Sequence, residues 1–133
     1  MRDPIQVFHL AIPCSNLDEA QDFYINKLGC KLARRYHDRI TVNFFGDQLV
    51  CHLAPEDIDV QPKMYPRHFG VTFVDKTKFD DLLNKARMNK APFFQELFVR
   101  FPGQKEEHYT FFLKDPSNNL LEFKFYLDPD MRY

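Results

Sequence analysis

Four side chains able to ligate a metal are spaced along this chain: His9, His52, His68 and Glu122. Three imidazoles and one carboxylate make a nitrogen and oxygen set that suits Fe(II), Zn(II), Ni(II), Co(II) or Mn(II), without the sulfur of a closed structural site. Glu122 sits among Leu120, Leu121 and Phe123. A carboxylate buried unpaired among such residues is costly, so it calls for a cation or for hydrogen-bond donors. A lone histidine on a strand is more often packed or solvent-facing than a ligand. These four are linked by their places in a repeat. Of the remaining histidines, His37 lies in the polar stretch His37-Asp38-Arg39 and reads as a surface residue. His108 follows Lys105-Glu106-Glu107 and reads equally as a strand-edge residue or as a proton carrier near a cleft.

The elements that must position these groups can be read in order. Gln6 to Pro13 alternates in character and ends at a proline, which marks a strand. Ser15, three residues before Asp18, opens an amphipathic helix with Leu17, Ala20, Phe23, Tyr24 and Leu28 on its apolar side, and Gly29 stops it. Cys30 to Tyr36, Arg39 to Phe45 and Asp47 to Leu53 follow as strands, the last two joined at Gly46 and Asp47. The connector 55–66 is rich in proline and acid. The order then begins again: a strand from Arg67 to Val74, a helix from Lys76 to Met88, and strands over Phe93 to Phe98, His108 to Leu113 and Asn119 to Tyr126. The chain is thus expected to be one α+β domain over 1–133, built of two tandem βαβββ modules at about 5–54 and 67–126. In this alignment His9 matches His68, and Leu49-Val50-Cys51-His52-Leu53 matches Leu120-Leu121-Glu122-Phe123.

Strand alternation fixes the faces. His9 shares a face with Val7 and Ala11, opposite Phe8, Leu10 and Ile12. His52 lies opposite Cys51 and Leu53, and Glu122 opposite Leu121, Phe123 and Phe125. His68 lies with Gly70 and Thr72, opposite Phe69, Val71 and Phe73. The bulkier faces are expected to cover the helices, and the four ligands to project from the other side, where Ala11, Ala54, Gly70 and Thr72 leave room for a ligand.

Composition narrows the partners. With 18 basic and 19 acidic residues and a net charge of −1, no broad field for nucleic acid or an anionic membrane is expected. No apolar run approaches the roughly 20 residues of a membrane span, and Met1-Arg2-Asp3-Pro4 does not open a secretion signal. A cytoplasmic protein with a small-molecule substrate is expected. Three cysteines without a C-x-x-C pair read as reduced, small apolar residues. Open sheets leave edges and faces that need cover, so a homodimer is expected, with the site either within one chain or shared between two.

Phe8-His-Leu-Ala-Ile-Pro13, Leu17-Asp-Glu-Ala-Gln-Asp-Phe-Tyr24, Leu28-Gly29, Arg67-His-Phe-Gly-Val71 and Asp115-Pro-Ser-Asn-Asn-Leu-Leu-Glu-Phe123 together resemble the vicinal oxygen chelate superfamily of glyoxalase I, type I extradiol dioxygenases and bleomycin-resistance proteins. The resemblance spans nearly the whole chain. It implies paired modules cupping a mixed sheet around one divalent metal, with His9, His52, His68 and Glu122 at the ligand positions. Phe44 to Leu53 and Phe111 to Pro116 look most like predicted extradiol-type dioxygenases, which implies an Fe(II) enzyme acting on a small oxygenated aromatic. Glu122 and His108 then fall to catalysis, with Tyr109 as an alternative acid or base, and Arg100 to an anionic group of the substrate. Phe112 stands where such dioxygenases carry Tyr, Asn118 where they carry Gly, and His52 where glyoxalase I carries Glu. A glyoxalase-like lyase and a non-catalytic binding protein of the bleomycin-resistance kind are the alternatives.

Overall fold

The computed structural model describes residues 4–133. Met1 to Asp3, on which the expectation of no secretion signal rests, lie outside the described residues. The first module comprises β1 (His9–Cys14), α1 (Leu17–Gln21) extended by a π-helical turn over Asp22–Lys27, β2 (Lys31–Arg35), β3 (Arg39–Phe44) and β4 (Asp47–Leu53). The second comprises β5 (Phe69–Phe73), α2 (Lys76–Met88), β6 (Phe93–Arg100), β7 (His108–Lys114) and β8 (Leu120–Tyr126). The sheets have the orders β1-β4-β3-β2 and β5-β8-β7-β6. In each, the first strand runs parallel to the last and the other pairs are antiparallel. The tandem βαβββ fold of the α+β class is therefore the observed one.

Local chemistry accounts for the element ends, with one correction. The side chain of Asn16, not Ser15, caps α1, its Oδ1 accepting from the amide of Glu19 at 2.9 Å. The Ser15 hydroxyl instead meets that of Ser117 at 3.3 Å, across the module boundary. The helix closes with a wide turn in which Leu28 N donates to Phe23 O, and Gly29 takes φ +80°, a value that suits glycine at a helix end. That turn buries both Phe23 and Tyr24 completely. The second helix begins where Asp75 accepts from Thr77 N and buries Phe79, Leu82, Leu83 and Ala86. β1 and β5 begin later than the alternation suggests, at His9 and Phe69, and β6 runs on to Arg100.

The two modules share one core. Phe44 and Phe45, at the end of β3 and the turn after it, reach the rings of Phe69 and Phe73 at 5.6 and 5.8 Å between centroids, and Phe123 lies 6.5 Å from Phe44. Polar contacts lock the same boundary. Tyr24 donates to Asp115 Oδ2 at 2.7 Å, and the Asn119 side chain donates to Pro13 O at 3.0 Å. Burial, then the charge of Asp115, push the Tyr24 phenol well above its ordinary value. Burial likewise lifts Asp115 itself, against the donors Asn119, Tyr24 and Ser117 that favour its charged form. All three cysteines are free and buried, and burial pushes the Cys30 thiol up to about 12, as befits inert apolar packing groups. No helix among the described residues is long and apolar enough to cross a membrane.

Candidate metal centre

The strand faces are as the alternation implies in the second sheet. Phe69, Val71 and Phe73 join the core with Leu121, Phe123 and Phe125. The other face carries His68, Gly70, Thr72, Glu122 and Lys124, which line a cleft of about 210 Å³. Gly70 is level with Glu122 in the parallel β5–β8 pair, and the strands come so close that a Cβ at position 70 would stand 1.6 Å from the Glu122 carbonyl oxygen. Only glycine permits that approach, and the approach brings the His68 end of β5 onto the Glu122 carboxylate.

His68 Nε2 lies 3.1 Å from Glu122 Oε1. The other carboxylate oxygen accepts from the Thr110 hydroxyl at 2.7 Å. His68 Nδ1 lies 2.5 Å from the carbonyl of Met64, which can only accept, so Nδ1 is the protonated nitrogen. Nε2 therefore faces a carboxylate oxygen in a buried place, Glu122 being 6% exposed. Two electron-rich atoms so placed need a proton shared between them, on the ring or on the carboxyl, or a metal ion at the junction. The donor set fits a metal. The imidazole has its far nitrogen held by a carbonyl and the carboxylate has its far oxygen held by a hydroxyl, the outer support that orients metal ligands. The Phe112 ring stands edge-on to His68 at 5.4 Å and dries one side of the pair.

The remaining candidates are distributed differently. His9 is exposed on the first sheet, its Nδ1 2.6 Å from Gln48 Oε1, so that Nε2 is the ring nitrogen outside that contact. Parallel pairing sets His9 level with Gln48, Ala11 with Val50 and Pro13 with His52. His52 is thus four residues along the strand from His9, roughly 13 Å, and the structure does not bring the two together. By the same register the first-module counterpart of Glu122 is the buried Val50, not His52. Among the described residues no three His, Cys, Asp or Glu side chains converge on one point.

His108 is level with Tyr126, four residues along β8 from Glu122, again roughly 13 Å. It is buried, bonded through Nδ1 to Glu106 O and packed against the Tyr126 ring at 4.4 Å. His108 is thus a packed residue at the start of β7, an interior strand of its sheet. Tyr109 points to the opposite, core side, where Lys76 Nζ lies over its ring at 5.5 Å. It is therefore withdrawn as an acid or base at Glu122. Arg100 does share the face of Glu122, and its Nη1 donates to the hydroxyl of Tyr65. Three participants escape a sequence reading. Thr110 is an ordinary strand residue, Met64 acts through its backbone, and Tyr65 sits in a connector whose path no periodicity reveals.

Comparison with known proteins agrees with this architecture. The sequence profile of the Glyoxalase/Bleomycin resistance protein/Dioxygenase superfamily matches residues 6–123. No curated protein sequence matches the chain. Among solved structures, the chain is similar to a glyoxalase/bleomycin resistance protein/dioxygenase from Alicyclobacillus acidocaldarius, at 63% identity over the whole of both chains with a TM-score of 0.97. Lactoylglutathione lyase from Agrobacterium tumefaciens shares the fold at 19% identity, over 92% of this chain and 95% of that one, with a TM-score of 0.67. The fosfomycin resistance protein FosX from Listeria monocytogenes shares it at 14% identity over both whole chains, also at 0.67. With the profile spanning both modules and the fold repeated in each of these structures, the chain belongs to the glyoxalase/bleomycin resistance protein/dioxygenase superfamily.

Proposed function

We propose that the protein is a metal-dependent enzyme whose ligands are His68 and Glu122 of one copy and His9 of a second, and that it acts as a dioxygenase-like oxidoreductase on a small oxygenated aromatic. The observation that carries this reading is the His68–Glu122 pair, 3.1 Å apart with both outer atoms already held. Two histidines and one carboxylate form the facial set of non-haem Fe(II) oxygenases. The separation of His52 from this set favours a three-ligand centre over the four-ligand glyoxalase arrangement. A bound divalent ion would supply Lewis acidity and open positions for two neighbouring substrate oxygens and O2.

The chain's own residues would prepare the centre. Thr110 and Met64 fix the carboxylate and imidazole, and Phe112 excludes water from one side. The third ligand must come from the other sheet, because sheet two offers only one imidazole and one carboxylate at this point. The face of His9 is turned away from the shared core, as is that of His68. Beside it Phe8, 65% exposed, together with Val7 leaves apolar surface for a partner to cover. A two-fold dimer would lay each His9 face over the other copy's His68–Glu122 face and make two equal sites.

Metal content and complementation test the reading together. Protein prepared without oxygen and reconstituted with Fe(II) is expected to hold about one metal per chain, and to lose it in Glu122→Ala. O2 uptake with a catechol panel reads the chemistry. Mixing His9→Ala with Glu122→Ala subunits, each inactive alone, is expected to restore activity, since half the mixed dimer's sites are intact. Absence of metal in wild type after reconstitution would end the catalytic reading. Activity absent from the mixture but present in wild type would place His9 outside a shared site.

A further inference from the structure

The face that carries Glu122 also carries cations without counter-ions. Lys124 lines the cleft with His68, Thr72 and Glu122. Its Nζ lies 3.5 Å from the Tyr126 hydroxyl and 5.4 Å over the Tyr126 ring, both neutral partners. Arg100 is level with His108, which is level with Tyr126, so all three share the side of Lys124. The Tyr65 hydroxyl holds the guanidinium, and the Tyr65 ring stands edge-on to His68 at 5.7 Å. The connector thus ties Arg100 back to the metal-binding end of the sheet. Among the described residues, every ion pair involves other cations, and neither Lys124 nor Arg100 meets a carboxylate. A concave, partly desolvated face with unneutralised positive charge concentrates anions.

We propose that this face binds its substrate through an oxyanion distinct from the atoms offered to the His68–Glu122 centre, with Lys124 as the first partner and Arg100, positioned by Tyr65, as the second. This rests on the reading of that face as the substrate face, and it narrows the substrate class to small oxygenated acids. Lys124 is two residues from Glu122, roughly 7 Å along β8, a span that one aromatic ring with its substituents fills. The oxyanion is a carboxylate or a phosphoryl group, since an ammonium and a guanidinium serve both.

The test uses the whole 133-residue chain, metal-free, titrated with benzoate, phenylphosphonate and neutral benzamide, followed by amide NMR shifts at Thr72, Glu122 and Lys124. At least one anion is expected to bind about tenfold or more tighter than benzamide, and whichever anion is tighter identifies the group. Lys124→Met keeps the packing of the stem on Tyr126 and removes only the charge. It is expected to bring the anion preference over benzamide to within about twofold, and Tyr65→Phe to reduce the preference by about threefold. Equal affinity for all three probes, or a preference that survives in Lys124→Met, would overturn the proposal. No metal takes part in this measurement, so its failure in a protein that still loads one metal per chain sinks the oxyanion site alone. An anion preference in a protein that never takes metal sinks the metal reading alone.

Discussion

The two modules share one topology and differ where chemistry is concerned. In the second, the residue two past the histidine's level is Glu122, buried and bonded to both His68 and Thr110. In the first, the same place is taken by Val50, and among the described residues His9 is bonded to the neutral amide of Gln48. A duplicated scaffold has kept its backbone pairing while the two halves carry different side chains at the matched positions. The first sheet carries an exposed imidazole with exposed Val7 and Phe8 beside it. The second contributes a preformed pair whose burial would be costly without a positive centre.

The comparison can be broken most severely at Gly70. Gly70→Ala places a methyl group on the Glu122 carbonyl, so β5 must part from β8. A loss of about 3 kcal/mol or more in urea-unfolding free energy is expected, with the metal lost even where the protein folds. An alanine variant of wild-type stability would show that the strand approach does not position the site. Next in size, Glu122→Ala is expected to weaken metal affinity by more than the roughly 100-fold attributable to an outer partner, and Thr110→Val by about 10- to 100-fold. Both are read by competition with a chelator. Equal losses in the two variants would mean that Thr110 acts as more than an orienting group.

The boundary between the modules makes a prediction about pH. Burial holds the Asp115 carboxyl above its ordinary value near 3.8. A raised folded-state pKa means that folding favours the protonated form, so the contribution of this group is fully present below pH 3.8 and declines as pH rises through the raised value. The stability advantage of wild type over Asp115→Asn is therefore expected to shrink upward from about pH 4, followed by urea midpoints at several pH values. An advantage that grows with pH would show that the surrounding donors outweigh burial. The smallest effect sharpens the register: His52→Ala is expected to leave metal affinity within about twofold of wild type, because its level on β4 is roughly 13 Å from that of His9. A large loss there would show that His52 reaches the centre in the assembled dimer.

Much of this molecule is legible from residue order alone. Helical periodicity marks α2 over Lys76–Met88, and alternation assigns His68, Gly70 and Glu122 to one face, because both patterns are local and repeat at fixed intervals. The misplaced helix cap shows where local reading weakens. Asn16 and Ser15 are equally good caps on paper, and Ser15 is drawn off by Ser117, 102 residues away in sequence. His52 shows the deeper reason. Sliding a strand by two residues keeps every side chain on its face, so alternation matches His52 to Glu122 as readily as it matches Val50. Only the hydrogen-bonded register between β1 and β4 removes that ambiguity. The sequence by itself determined the repeated modules, their faces and the identity of the candidate ligands, since these follow from periodicity and side-chain chemistry. Only the tertiary structure decided that His68 and Glu122 meet, that Thr110 and the Met64 carbonyl hold them, and that His9 stands apart, because strand register and the path of a connector are set by contacts between distant parts of the chain.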